Sequence, residues 1–196
     1  MARPREFDFD YALEQAMNVF WEKGFEGAGL NDLLGAMQIA RGSLYKAFGD
    51  KRTLFIETLK YYDKTCITEG ITLLSDKTIP DGSARIVQLM ENIVSAVEIH
   101  GDRRGCFLCN SVVDQAPHDK RVEFECQRMM NRMEKGFLIA LRASKQFERV
   151  NQNKLVENAR NLNVTYNGLR VMAKAGYQPL ALRKAIHAAL HEDDII

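Results

Sequence analysis

Proline is scarce in this chain. Four prolines, at positions 4, 80, 117 and 179, serve 196 residues. Each can sit at an element end, which leaves long stretches free of the strongest helix breaker. Long apolar runs are missing too. The uncharged stretch Gly105 to Val113 spans nine residues, against the ~18 that a membrane span needs, so no membrane partner is expected. The opening MARPREFDFDY holds two arginines and no apolar segment behind them, which does not read as a secretory leader. Cysteine is sparse: Cys66, Cys106, Cys109 and Cys126 are too few to staple a chain of this length. The expected setting is the cytoplasm, with reduced thiols. An excess of one charge is also lacking. Lys and Arg number 27 and Asp and Glu 26, for a net +1. That excludes a globally basic polyanion binder but leaves room for a local basic patch.

What is present is helical period. The composition, 46% hydrophobic and 27% charged, is that of a soluble globular chain of one domain or two small ones. Ala12, Leu13, Ala16, Met17, Phe20 and Trp21 line one face of an amphipathic helix. Asp8 or Asp10 can cap its start, and Lys23-Gly24 is a stop signal. Short helices follow over about 30–37 and 41–48, and a longer one starts near Lys51 with Leu54, Phe55, Thr58, Leu59 and Tyr62 inward. Residues 75–82 read as a loop. Ser83 to about His100, 106–115 and 119–144 read as further helices. Leu155, Ala159, Leu162, Tyr166, Leu169 and Ala173 step by four and three, a seam for helix-on-helix packing. A last helix follows Pro179. The expectation is an all-α chain of about nine helices with no sheet.

The informative stretch is GLNDLLGAMQIARGSLYKAFGDKR, residues 29–52. It reads as helix, tight turn at about Gln38-Ile39-Ala40, helix. Leu33, Leu34, Met37, Ile39, Leu44 and Phe48 can share a small core. The outer face of the second helix is then Arg41, Gly42, Ser43, Tyr45 and Lys46. This is the chemistry of a DNA-reading helix: Arg forks onto guanine, Ser pairs with several base edges, and Tyr and Lys reach phosphates. Small residues at 42 and 43 let the helix N-terminus approach the duplex. Within 38–52, Arg41, Lys46, Lys51 and Arg52 stand against Asp50 alone, a local net charge of +3. Arg3 and Arg5 can extend the patch as an arm.

With these residues laid out, residues 10–60 resemble the N-terminal domain of the TetR family of transcriptional repressors. The resemblance rests on F-W-E-K-G-F at 20–25, the helix at 30–37 and R-G-S-L-Y-K-A-F-G-D-K-R-T-L-F at 41–55. It implies an all-α fold, with a three-helix helix-turn-helix DNA-binding domain over 1–50 and a helical ligand-binding and dimerisation domain over 51–196. It further implies that Tyr45 and Lys51 clamp phosphates while Arg41, Gly42, Ser43 and Lys46 face the groove of operator DNA. Two positions depart from the family pattern. Gly29 stands where Ser or Thr is usual, and Ala40 where Ser is frequent; Gly is an acceptable N-cap and Ala a poor one.

The second half constrains function less. R-R-G-C-F-L-C-N-S at 103–111 and A-P-H-D at 116–119 resemble a TetR subgroup with a Gly-Cys-φ-φ-x-Asn segment, φ being apolar, some of whose members sense electrophiles or oxidants. Independently, Arg103 and Arg104 precede Cys106, and nearby cations or a helix N-terminus lower a thiol pKa. Cys109, one turn on, can act as a resolving thiol. The same two cysteines can equally be small apolar packing residues. As metal ligands, Cys106, Cys109, Cys126 and His118 offer only one Cys-x-x-Cys knuckle, where structural zinc usually takes two. Met90, Met129, Met130 and Met133 can line an adaptable ligand site or simply fill a core. His100 and His118 can orient a ligand or be satisfied locally. His187 and His191 have a metal-capable spacing that an exposed helix often shows incidentally. Neither a metal nor a cofactor is expected.

Enzyme motifs are wanting. Gly27-Ala-Gly29 has Asp32 where a dinucleotide loop needs its third glycine. No phosphate-cradling G-x-x-x-x-G-K and no G-x-S-x-G occurs, and the Asp193-Asp194 pair lies at the terminus. The expected protein is a homodimeric repressor. The last two helices, about 152–175 and 179–191, should form the interface through Leu162, Tyr166, Leu169, Ala185, Ile186 and Ala189. Two-fold symmetry predicts a palindromic operator. A small-molecule inducer, an oxidant or an electrophile would release it by preferring a conformer with wrongly spaced recognition helices. The alternatives are a helical protein-interaction module, indifferent to substitution of Arg41 and Lys46, and an enzyme.

Overall fold

The computed structural model describes residues 7–101 and 104–190, apart from the side chain of His100. Arg3, Arg5, Arg103, His191 and the Asp193-Asp194 pair lie outside the described residues. Among those described, ten α-helices follow one another and no strand occurs: α1 (Phe9–Gly27), α2 (Leu30–Met37), α3 (Arg41–Phe48), α4 (Lys51–Tyr62), α5 (Thr68–Leu74), α6 (Gly82–His100), α7 (Phe107–Asp114), α8 (Lys120–Arg142), α9 (Gln152–Lys174) and α10 (Pro179–Leu190). A π-turn over Asp63–Ile67 joins α4 and α5 into one unbroken run, so nine separate rods result. The chain divides into two compact units, Met1–Thr65 with Asn110–Gln127, and Cys66–Cys109 with Arg128–Ile196.

In the first unit α1 packs on α2 and α4, and α3 on α4. Asp8 caps α1, its Oδ1 accepting the Tyr11 amide at 3.1 Å. Ala12, Leu13, Ala16, Met17 and Phe20 are buried as their period predicts, with Trp21 half-buried. Gly24 does not end α1. With φ 72 and ψ 173 it breaks the helix, which then resumes to Gly27; glycine takes this conformation without the Cβ clash that other residues suffer. The resumed turn buries Phe25. Its ring stacks on Phe20 at 6.0 Å, and both meet the Phe55 edge, at 5.2 and 5.0 Å. The inward face of α4 is as read: Leu54, Phe55, Thr58, Leu59 and Tyr62 are all buried.

In the second unit α6 packs on α5, α9 and α10, and α9 on α10. Asp81 caps α6 by accepting the Ser83 amide at 3.2 Å. Gly82 lies so close to the end of α8 that a Cβ there would fall 1.8 Å from the Ala140 carbonyl oxygen. Buried Arg85 holds the preceding loop by donating to the carbonyls of Ile79, Pro80 and Leu74. Arg183 of α10 pairs with Glu91 at 3.1 Å and Glu98 at 2.7 Å on α6. The α9 seam from Leu155 to Ala173 is buried throughout.

Candidate nucleic-acid interface and regulatory core

The helix-turn-helix forms where the sequence places it. Gln38 ends α2 in the left-handed region, with φ 54, and its Nε2 donates to the Tyr11 hydroxyl at 3.2 Å, tying the turn to α1. Leu33, Met37, Leu44 and Phe48 make the shared core, while Leu34 and Ile39 are only half-buried. The Phe48 ring stacks on Phe9 at 5.1 Å. At the start of α2, Gly29 has no side chain to offer. Asp32 compensates by accepting the Gly29 amide at 3.2 Å, and it pairs with Lys23 at 2.9 Å. The Lys23 hydrogen bond, with that amide, holds the Asp32 carboxyl below its ordinary value despite some desolvation. Ala40 caps α3 with backbone alone.

Burial of Leu44 and Phe48 fixes the rotation of α3. Arg41, Gly42, Tyr45 and Lys46 are therefore exposed and Ser43 half-exposed. A Cβ at Gly42 would meet nothing within 4 Å, so packing does not require the glycine. α4 starts firmly: Asp50 Oδ1 accepts the Thr53 amide at 2.6 Å. Lys51 Nζ lies 4.6 Å above the Phe25 ring centroid, and the Arg52 guanidinium 4.8 Å from it, a cation–π arrangement on one aromatic platform. Arg52 also donates to Asp119 at 3.0 Å, and the Phe25 amide donates to Asp114 at 3.2 Å. Burial pushes the Asp119 carboxyl up, but the Arg121 amide and the Arg52 and Arg121 guanidiniums outweigh it and leave it below its ordinary value.

In the second unit the candidate sensing residues lie among buried polar groups. Cys106 and Cys109 are 3% and 9% exposed. Cys106 precedes α7, and its Sγ accepts the Cys109 amide at 3.5 Å, the geometry of an N-cap. Cys109 Sγ donates to Asn167 Oδ1 at 3.2 Å. Asn167 Nδ2 donates to the Asn163 carbonyl at 2.7 Å, and Asn163 Nδ2 to the Met130 carbonyl at 3.2 Å. The Tyr166 hydroxyl accepts from Arg170, whose guanidinium lies 4.7 Å over the Tyr166 ring. Desolvation pushes the Tyr166 phenol up. Met90 is fully buried and Met130 half-buried. Cys66 is half-buried. Among the described residues no group of three His, Cys, Asp or Glu side chains comes together to hold a metal ion. No helix among them is long and apolar enough to cross a membrane.

Four of the six expected interface residues are buried within the single chain. Leu162, Tyr166, Leu169 and Ile186 are 4%, 5%, 2% and 0% exposed within the single chain. The regular seam is consumed in the chain's own core, so these side chains are not left for a partner. Ala185 and Ala189 are half-buried. The large apolar residues that α9 and α10 leave outside are Val164, Val171 and Leu180, 68%, 54% and 66% exposed. The sequence reading also passed over Phe25, Asp114, Asp119, Asn163, Asn167 and Arg170. For the last three a signal existed, since a polar residue beside a buried heptad seam must find a partner inside.

An all-helical chain with a helix-turn-helix at its start and a basic outer face defines a DNA-binding regulator. The sequence model of the tetR family of bacterial regulatory proteins matches residues 12–58. The HTH-type transcriptional regulator YezE of Bacillus subtilis is 32% identical over 179 residues, covering 89% of this chain and 90% of that protein. The HTH-type transcriptional repressor ComR of Escherichia coli is 30% identical over 117 residues, 59% of this chain and 54% of that one. A cysteine-substituted form of the TetR family regulator CifR, solved with 26-bp double-strand operator DNA, superposes with a TM-score of 0.82 at 29% identity, over 97% of this chain and 100% of that one. The chain belongs to the TetR family of bacterial regulatory proteins. It is a transcription regulator and not an enzyme.

Proposed function

We infer that the chain is a homodimeric repressor that binds a palindromic operator through α3 and leaves it when an inducer binds. Residues 1–50 carry the DNA-binding function and 51–196 inducer binding and dimerisation. The observation that supports this most is the rotation of α3: Leu44 and Phe48 are 0% and 4% exposed while Tyr45 is 48% exposed, and Arg41, Gly42 and Lys46 are exposed with it. Arg41 is assigned to a guanine edge, Ser43 and Lys46 to the groove, and Tyr45 and Lys51 to backbone phosphates. Gly42 is the open surface that lets α3 approach. The operator-bound CifR structure and the repressor ComR support the same reading.

A second copy of the chain is assigned to the outer faces of α9 and α10, where Val164, Gly168 and Val171 share one stripe of α9 and Leu180 is exposed on α10. Gly168, with nothing within 4 Å of a Cβ, leaves room for close helix approach. The inducer is assigned to the regulatory half, near Met90, Met130, Cys106 and Cys109. Both cysteines are buried and one is hydrogen-bonded to Asn167, which favours a noncovalent inducer over direct oxidation. The cytoplasm is the setting that suits all of this. Selection of duplexes from a randomised library tests the reading. An inverted repeat with half-sites about one helical turn apart, or somewhat more, is expected; enrichment of no sequence overturns it.

A further inference from the structure

Two carboxylates from far along the chain reach the DNA-reading end of the first unit. Gly24 interrupts α1, and a helix break leaves backbone amides in need of partners. The amide just past the break, that of Phe25, donates to Asp114 Oδ2 at 3.2 Å, across 89 residues of sequence. Phe25 is 7% exposed, so its ring is a fixed surface. Lys51 and Arg52 both lie on that ring. Arg52 is held from its other side by Asp119 at 3.0 Å, across 67 residues. The Asp119 side chain is 10% exposed and its carboxylate also meets Arg121 at 3.5 Å. The series runs from Asp114 to the Phe25 amide, from the Phe25 ring to Lys51 and Arg52, and from Arg52 back to Asp119.

We propose that Asp114 and Asp119 are positioning residues for DNA binding. Through the Phe25 amide and the Arg52 guanidinium they fix the aromatic platform on which Lys51 rests. The segment Asn110–Gln127, sequence-distant from the helix-turn-helix, is thereby part of the operator-reading unit, in line with its place in the same compact unit. This deepens the assignment of Lys51 to a phosphate and rests on it.

The test uses the full-length protein and a duplex selected by the wild type from a randomised library. Affinity, salt dependence and the active fraction, from stoichiometric titration, are measured together. Asp114→Ala is expected to weaken binding roughly tenfold, as loss of a charge-assisted hydrogen bond does. It should flatten the salt slope by about 0.9, one phosphate contact. Asp114→Asn keeps an acceptor oxygen and is expected to stay within about twofold of wild type. Asp119→Ala should weaken binding about fivefold, and Arg52→Ala with Asp119→Ala should bind no worse than Arg52→Ala alone, because Asp119 acts through Arg52. Wild-type affinity and slope in both alanine variants overturn the proposal. So does weaker binding that comes only from a smaller active fraction with an unchanged Kd. A wild type that enriches no duplex overturns the DNA reading itself, and this proposal with it.

Discussion

The two units solve opposite problems with the same helices. The first keeps its cations at the surface and supports them from beneath with rings: Phe20, Phe25 and Phe55 form one aromatic cluster, and Trp21 meets Tyr62 edge-on at 5.5 Å. The second links polar groups between its helices. Asn163, Tyr166 and Arg85 are buried there, and a hydrogen-bond relay runs from Cys109 through Asn167 and Asn163 to the Met130 carbonyl. A packed aromatic cluster resists rearrangement because every alternative packing opens voids. A polar interior can trade one partner for another, such as a ligand, provided each group stays satisfied. The first unit also buries polar side chains, Thr58, Asp63, Ser111, Gln115 and Glu125, so the contrast lies in the aromatic cluster beneath its cations and not in an apolar interior.

The comparison breaks most severely if the aromatic cluster is emptied. Phe20→Ala should cost about 3–5 kcal/mol, measured by denaturant unfolding, and should remove DNA binding with the fold of the first unit. Gly82→Ala tests the second unit. Its Cβ would fall 1.8 Å from the Ala140 oxygen, so α6 must move off the end of α8, at a cost on the order of 3 kcal/mol. Thermal unfolding reads it. Tyr166→Phe removes the acceptor of Arg170 in the polar interior and should cost about 1–3 kcal/mol, with operator affinity little changed. An equal loss of operator affinity would erase the contrast between the units. Asp50→Ala removes the cap of α4 and should cost about 1 kcal/mol.

Acid gives the smallest effect. The Thr53 amide and hydroxyl hold the Asp50 carboxyl below its ordinary value of 3.8, and Asp119 is held low as well. A carboxyl whose folded pKa lies below its unfolded one contributes stability that is present above the unfolded value. That contribution is lost as pH falls through the folded value. Stability owed to these two groups should therefore be constant from neutral pH down to about 5 and decline below about 4. Urea midpoints across that range check it, with Asp50→Ala showing the shallower decline.

The first unit was legible because its information is local. Period places Leu33, Met37, Leu44 and Phe48 in one core, and the turn residues lie between them. Chain-local reading stops where contacts span distance. Nothing around Asp114 or Asp119 points to partners 89 and 67 residues away. Gly24 read as a stop because glycine ends helices, and the turn that resumes after it donates the Phe25 amide to that distant carboxylate. The π-turn at Asp63–Ile67 escaped for a related reason: one extra residue in a helical turn leaves no compositional mark. On α9 the seam was read correctly as a packing stripe, and the chain's own helices cover it. A period of four and three states that a face is buried and does not state whether its own chain or another covers it.

The central claim is that α3 reads base edges while Lys51 holds the backbone. Anisotropy of wild type, Arg41→Ala and Lys51→Ala on the selected duplex, and on variants of it altered one base pair at a time, tests it most directly across a salt series. Lys51→Ala should weaken every duplex alike and reduce the salt slope by about 0.9. Arg41→Ala should cost about 1–3 kcal/mol on the selected duplex and relax discrimination at particular base pairs. Wild-type affinity and wild-type discrimination in both variants would contradict the placement of α3 as the recognition helix.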